Sequence, residues 1–300
     1  MDNIYIRWYY GYKNFWDELL LLWLLSYVSS LYPSATIYIQ SDKVWRLTTW
    51  IKKNNQYIDY IKNLIFVVDS LPIFPRKWDY LILWWWEVVT DARPFPYNWR
   101  SYLKHFFWIF CRSFALYWWI WTIKKFWTRQ LYSFLLSRAD SIVVRETYSY
   151  DIASKYSSSV ILHQDFAYDA LNNIWSIIKL SQNSWYVIIN INKHVRNDEL
   201  KLSLGAILSN HLDKELYFFP ASVWSDDADI DLLDELLMLF PNIKLYDRTK
   251  HTLKETLNFI QWANFAVAAR LHVVLLLKHM DIPFSPIFYQ EKVNRILQHL

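Results

Sequence analysis

Arg270 and His272 stand two positions apart, where an apolar run from Phe265 to Ala268 gives way to a helical pattern. Arg145 holds the same kind of place after the run Ser141 to Val144. A guanidinium is planar and permanently charged. It grips a phosphate or carboxylate through two parallel hydrogen bonds, which a lysine ammonium does not reproduce. A histidine at a helix start meets the positive end of the dipole, which disfavours its cation and tends to leave a neutral imidazole. The pattern points to a site that binds an anion with arginine and exchanges protons through histidine. Near the N-terminus, Asn14, Asp17 and Glu18 open another helical segment after an apolar run. Asn14 can cap the free backbone N–H groups there, and such a helix start also seats an anion or a hydroxyl. Asp17 and Glu18 are either first-turn acids that complement the dipole or groups that grip a ligand.

These residues must be held by the elements around them. Short apolar, β-branched runs alternate with amphipathic segments from end to end, which is an α/β pattern. Strands are expected near Ile4 to Tyr9, Thr36 to Gln40, Leu64 to Val68, Tyr80 to Leu83, Phe114 to Tyr117, Ser141 to Val144 and Val160 to Leu162. They read as continuous apolar runs, as parallel sheets covered on both faces require. The polar stretch Ala170 to Ser184 is the best linker, and a second set of strands follows near Tyr186, Leu216, Ile243, Phe265 and Phe284. The expected organisation is two doubly wound Rossmann-like domains facing across a cleft, residues 1–172 and 173–300. Strand C-termini of open α/β sheets line the ligand crevice. The Asn14 to Asp17 turn, the exit of the strand ending at Leu83, Arg145, and the pair Arg270 and His272 are therefore expected to converge on one crevice between the domains.

Composition excludes several classes. With 54% hydrophobic and 20% charged residues, the 300-residue chain can build two cores. One cysteine, Cys111, rules out a disulfide framework, and the start MDNIYIRW lacks a signal-peptide pattern, so a cytoplasmic protein is expected. A net charge of +4 without interleaved basic and aromatic residues argues against nucleic acid as a partner. The apolar stretch Leu103 to Trp121 carries Lys104, His105 and Arg112, which a membrane span tolerates poorly. His163, His194, His211, His251 and His279 have no metal-ligand spacing, and no metal is expected.

One feature of the composition is abnormal. The 2 glycines and 19 tryptophans together match the roughly 21 glycines that average usage gives a chain of this length. Tryptophan also stands where an apolar run must turn, as in LILWWWEV and ALYWWIWT. Some bacteria read UGA as glycine and others as tryptophan, so most of these tryptophans are expected to be glycine in the cell. Trp23 and Trp78 are the least readily converted. Literal tryptophans would crowd the crevice or take positive φ at strand exits. The alternative is a protein truly rich in tryptophan, seated at a membrane interface.

With glycine restored, WYYGYKNFWDELLL becomes GYYGYKNFGDELLL and LILWWWEVVTD becomes LILGGGEVVTD. Together with SRADSIVVRETYS, HQDFAYD, FFPASVWSDD, AARLHVVLL and IFYQEKV, in this order over nearly the whole chain, the motifs resemble the polysaccharide pyruvyl transferases. The resemblance implies a GT-B-like fold and transfer of pyruvate from phosphoenolpyruvate to a sugar diol as a ketal. Phosphoenolpyruvate is then a co-substrate, and no cofactor is needed. Arg145, Arg270 and Leu271 would hold the donor, with His272 as acid and base. Asp17 and Asp165 would grip acceptor hydroxyls or act as base, beside Asn14 and Glu18. Lys292 would either neutralise donor charge or lie on a solvated helix face. The partner would be a glycan or lipid-linked saccharide, the latter bringing weak peripheral membrane association without an integral segment. Two alternatives stay open: a glycosyltransferase using a nucleotide sugar, with Glu215, Asp226 or Asp227 on the ribose, and a non-catalytic glycan-assembly protein of the same fold.

Overall fold

The structure, a computed structural model, describes residues 3–7, 14–41, 43–54, 64–68, 80–89, 113–120, 126–144, 146–163, 185–192, 198–211, 213–223 and 228–287. The chain divides into two compact units. One is Met1–Gly11 with Leu20–Ala170, and the other is Tyr12–Leu19 with Leu171–Leu300. Tyr12–Leu19, which the sequence puts in the first domain, groups with the second unit. The reason is a backbone tie: Phe15 N–H donates to the Ala221 carbonyl at 3.0 Å, and Asn14 bridges Ser222.

The first unit is a wholly parallel sheet in the order β3-β2-β1-β4-β5-β6-β7. Its strands are β1 (Asn3–Arg7), β2 (Thr36–Ser41), β3 (Leu64–Val68), β4 (Tyr80–Val89), β5 (Ser113–Ile120), β6 (Ser141–Val144) and β7 (Val160–Leu162). The order reverses beside β1, as in a doubly wound fold. Ile4, Ile6, Ile37 and Ile39 are buried, while Tyr5 and Tyr38 stack at 4.7 Å on the other face. Helix α1 (Phe15–Leu31) follows β1, and its Leu20 to Leu25 and Val28 are buried. Helices α2 (Val44–Lys53), α3 (Phe126–Arg138) and α4 (Thr147–Ala153) complete the described part.

The expected strand exit at Leu83 is not found. β4 runs on through Trp84 to Trp86, pairing Trp84 with Tyr117 and Trp85 with Trp118, and its register shifts only between Trp85 and Val89. Aromatic residues favour extended backbone, so with tryptophan there the strand continues. Of the two outcomes expected of literal tryptophan, crowding of the crevice or positive φ, the second is not seen at the described tryptophans. Among the described residues the one non-glycine with positive φ is Asp281.

The second unit is a parallel sheet in the order β10-β9-β8-β11-β12. Its strands are β8 (Tyr186–Asn190), β9 (Glu215–Phe218), β10 (Lys244–Leu245), β11 (Phe265–Ala268) and β12 (Phe284–Pro286). Its order reverses between β8 and β11, and this switch point is where a doubly wound sheet opens a ligand crevice. Val187, Ile189, Leu204, Leu208, Phe218, Leu236 and Val267 form one buried cluster under helices α5 (Asp198–Ser209) and α6 (Leu233–Leu239). Helix α7 (Leu253–Gln261) starts with a capping box in which the Thr252 hydroxyl accepts from Glu255 N–H at 3.2 Å.

Helix α8 (Leu271–His279) buries Leu271 and Val273 to Leu277. It ends in a Schellman motif: Ile282 N–H donates to the Leu277 carbonyl and Asp281 N–H to that of Lys278, with Asp281 at φ 53°. In its last turn, burial holds the His279 imidazole below its ordinary pKa of 6.5, against an opposing pull from Asp281. The unfolded chain therefore takes up this proton first as pH falls. Stability is full above pH 6.5 and declines below it until the folded imidazole also titrates. Urea unfolding across pH 5 to 8 should show this slope, and His279→Gln should flatten it. A slope unchanged in that variant would assign the effect to another group.

Among the described residues no helix is long and apolar enough to cross a membrane.

Candidate active site

The exits of β8, β9 and β11 gather the chemically active side chains of the second unit. Arg270 follows β11 and is the N-cap residue of α8, its carbonyl accepting from Val273 and Val274 N–H. Its backbone N–H donates to Asn190 Oδ1 at 3.2 Å, across the switch point from the end of β8. Asn190 is fully buried and donates through Nδ2 to the Phe219 carbonyl at 2.9 Å. The Arg270 side chain is 18% exposed and reaches Asp229, which is wholly buried. Nε and Nη2 both donate to Asp229 Oδ1, at 2.9 and 2.5 Å. Asp229 Oδ2 accepts the N–H groups of Ala221 and Ser222 at 2.9 and 3.1 Å.

The start of α1 lies against the same strand exits. Asn14 is the cap expected of it: its Oδ1 accepts Trp16 N–H at 3.0 Å, and its carbonyl accepts Glu18 N–H. Phe15 packs edge-on to Phe219 at 5.9 Å. Trp16, 2% exposed, lies parallel to the His272 ring with centroids 4.7 Å apart. Its indole N–H is buried with no acceptor among the described residues. Asp17 is half-buried in this first turn.

Glu18 is buried and takes a hydrogen bond from Arg248 Nη1 at 2.5 Å. The Arg248 guanidinium also lies over the Phe15 ring at 5.5 Å. This ion pair accounts for Glu18 in its buried place without a ligand. Both side chains are at most 10% exposed, so removing one strips the other of this buried partner. Glu18→Ala is expected to cost about 3–5 kcal/mol of stability in urea unfolding, whereas the paired replacement Glu18→Leu with Arg248→Met should be close to neutral. A loss under ~1 kcal/mol in the single variant would show the pair to be solvated.

The structure thus brings together Asn14, Asp17, Glu18, Arg270, Leu271 and His272. Arg145, Asp165, Lys292, Asp226 and Asp227 lie outside the described residues, and with them the convergence expected of Arg145 with His272. Glu215 stands at the first residue of β9, the opposite end from these exits, where Lys244 holds it at 2.5 Å. Hydrogen bonds from Lys244 and Tyr217 keep its carboxyl below the usual range.

Three site residues escape sequence reasoning: Arg248, Asp229 and Asn190. Arg248 follows the run Ile243 to Tyr246, so the strand-exit rule that singles out Arg145 and Arg270 would have found it. Asn190 was legible as the polar residue closing an apolar strand. Asp229 stands in the acidic stretch SDDADID, and nothing local separates it from its neighbours.

Two wholly parallel, doubly wound units with a charged switch point define a GT-B-like α/β protein. Among solved structures, the UDP-GlcNAc 2-epimerase from Neisseria meningitidis bound to UDP-GlcNAc is similar at TM-score 0.56 and 10% identity, over 99% of this chain and 91% of that one. A protein described as a UDP-N-acetylglucosamine 2-epimerase from Listeria monocytogenes is similar at TM-score 0.54 and 10% identity, over 94% and 78%. Such identities speak for fold alone. No curated protein matches the sequence. The sequence model of one family matches residues 120–276, more than half of the chain. The chain belongs to the polysaccharide pyruvyl transferase family. The matched stretch includes Arg145, Asp229, Arg248, Arg270 and His272, while Asn14 to Glu18 and Lys292 lie beyond it.

Proposed function

We propose that this chain transfers pyruvate from phosphoenolpyruvate to two hydroxyls of one sugar in a glycan or its lipid-linked precursor. The observation that carries the reading is the Arg270 and His272 pair at the switch point of a chain belonging to this family. One acceptor hydroxyl adds to C2 of the enol while a proton goes to the C3 methylene, which becomes the methyl group. Phosphate then leaves, and the second hydroxyl closes the ketal, its proton ending on phosphate. His272 is the proposed proton carrier, and Arg270 with Arg145 the proposed grip on phosphate and carboxylate. Leu271 supplies apolar wall, and Lys292 adds charge. Asn14, Asp17, Glu18 and Asp165 form the proposed acceptor side, Glu18 acting through its ion pair. Binding of phosphoenolpyruvate with no binding of nucleotide sugars, followed by ketal formation on a saccharide diol, tests the reading. Binding of a nucleotide sugar instead would move the chain to the glycosyltransferases.

We also propose that most of the tryptophans are glycine in the living cell. Trp16 supports this, since its indole covers the His272 ring and buries an N–H without an acceptor among the described residues. UGG codons at Trp16 and Trp84 to Trp86 would end the idea. They would favour the non-catalytic reading, in which indole seals the histidine.

A further inference from the structure

We infer that Asp229 is the positioning residue of the site, fixing the Arg270 guanidinium before any ligand arrives. The inference rests on the reading of Arg270 as the donor's anion grip. One wholly buried carboxylate makes four hydrogen bonds with no oxygen shared between the two tasks. Oδ1 takes Nε and Nη2 of Arg270, and Oδ2 takes the N–H groups of Ala221 and Ser222. Its own N–H donates to the Ser222 carbonyl at 2.8 Å, which closes the loop onto the same residue. Asp229 thereby joins the exit of β9 to the exit of β11. The loop it holds also pairs with Asn14 and Phe15 at the start of α1, through Ser222 and Ala221. Arg270 is fixed at its other end as well, by the backbone bond to Asn190.

Two consequences follow from this geometry. A long, flexible side chain is ordered in advance, so an incoming anion does not bear that ordering cost. The edge formed by Nε and Nη2 is also occupied by Asp229, so a phosphate or carboxylate does not meet the guanidinium through that edge. Asp229 never touches the ligand in this arrangement. It acts through Arg270, and its negative charge tempers the attraction of the site for anions in general.

Asp229→Asn is the discriminating variant. Its amide oxygen can still accept from Ala221 and Ser222, while its NH2 group opposes Nε of Arg270. Calorimetric titration of the full chain, as the organism translates it, with phosphoenolpyruvate should show affinity falling on the order of 10-fold or more. In an Arg270→Ala background the same change should add nothing. A folded Asn variant that binds phosphoenolpyruvate within about twofold of the parent, or effects that add, would overturn the inference while leaving the donor reading intact. A parent that ignores phosphoenolpyruvate would instead overturn the donor reading and the inference with it. If the Asn variant fails to fold, the ligand-free parent still decides. Arg270 Nε–H should exchange slowly with solvent by NMR, and exchange as fast as at an exposed arginine would refute positioning.

Discussion

Glycine in place of Trp16 is expected to raise phosphoenolpyruvate-dependent transfer by on the order of 10²-fold over the tryptophan form. The indole lies flat on the His272 ring at 4.7 Å and is 2% exposed, so in the tryptophan form no substrate atom reaches that face of the imidazole. Small displacements of a reacting group already cost this much, and complete occlusion costs at least as much. Stability supplies a second, independent readout. Emptying a buried tryptophan site costs about 3–5 kcal/mol in a chain adapted to it. Glycine in the first turn of α1 adds about 1 kcal/mol. The acceptorless indole N–H works the other way, by roughly 1–3 kcal/mol. If the cell places glycine at position 16, its neighbours are adapted to that glycine, and the variant should gain activity with little loss in urea unfolding. An active tryptophan form, together with a glycine form destabilised by several kcal/mol, would show the indole to be native. His272 would then have to work through another face, and the recoding proposal would fall.

How much of this was legible in the sequence depends on the range of the contact that fixes each residue. Asn14 was readable as a cap because its partner, Trp16 N–H, lies two positions away. The strands Leu64–Val68, Ser141–Val144 and Val160–Leu162 were readable because apolar runs between polar breaks are local patterns. The partner of Glu18 lies 230 positions on, and that of Arg270 lies 41 positions back. No periodicity marks such pairs. Local reading therefore left Glu18 as a dipole acid or ligand group when its carboxylate meets Arg248. Asp229 goes unmarked for the same reason, since its partners Arg270, Ala221 and Ser222 all lie at least seven positions away. The end of β4 was misplaced for another reason. A turn at Trp84 to Trp86 follows if those residues are glycine, whereas tryptophan continues the strand to Val89.

Arg270→Lys is expected to lower kcat/KM for phosphoenolpyruvate by about 10- to 100-fold, the equivalent of one charge-assisted hydrogen bond lost. The geometry makes this substitution unusually clean. Asp229 Oδ1 takes two donors from Arg270, and a lysine ammonium can supply one of them while keeping the buried carboxylate paired. The lysine variant should therefore unfold close to the parent. Arg270→Ala should lose about 3–5 kcal/mol, because Asp229, fully buried, is stripped of the guanidinium that donates twice to its Oδ1. What lysine cannot do is satisfy Asp229 and an incoming anion at once through a rigid fork. An ammonium held by Asp229 offers the donor a point charge already partly neutralised. One released toward the donor leaves the carboxylate bare. Comparing the two variants thus separates the structural work of Arg270, which tracks charge, from its ligand work, which tracks shape. Wild-type turnover in the lysine variant would remove Arg270 from the site. A matching loss of stability and activity in both variants would reduce its role to holding Asp229.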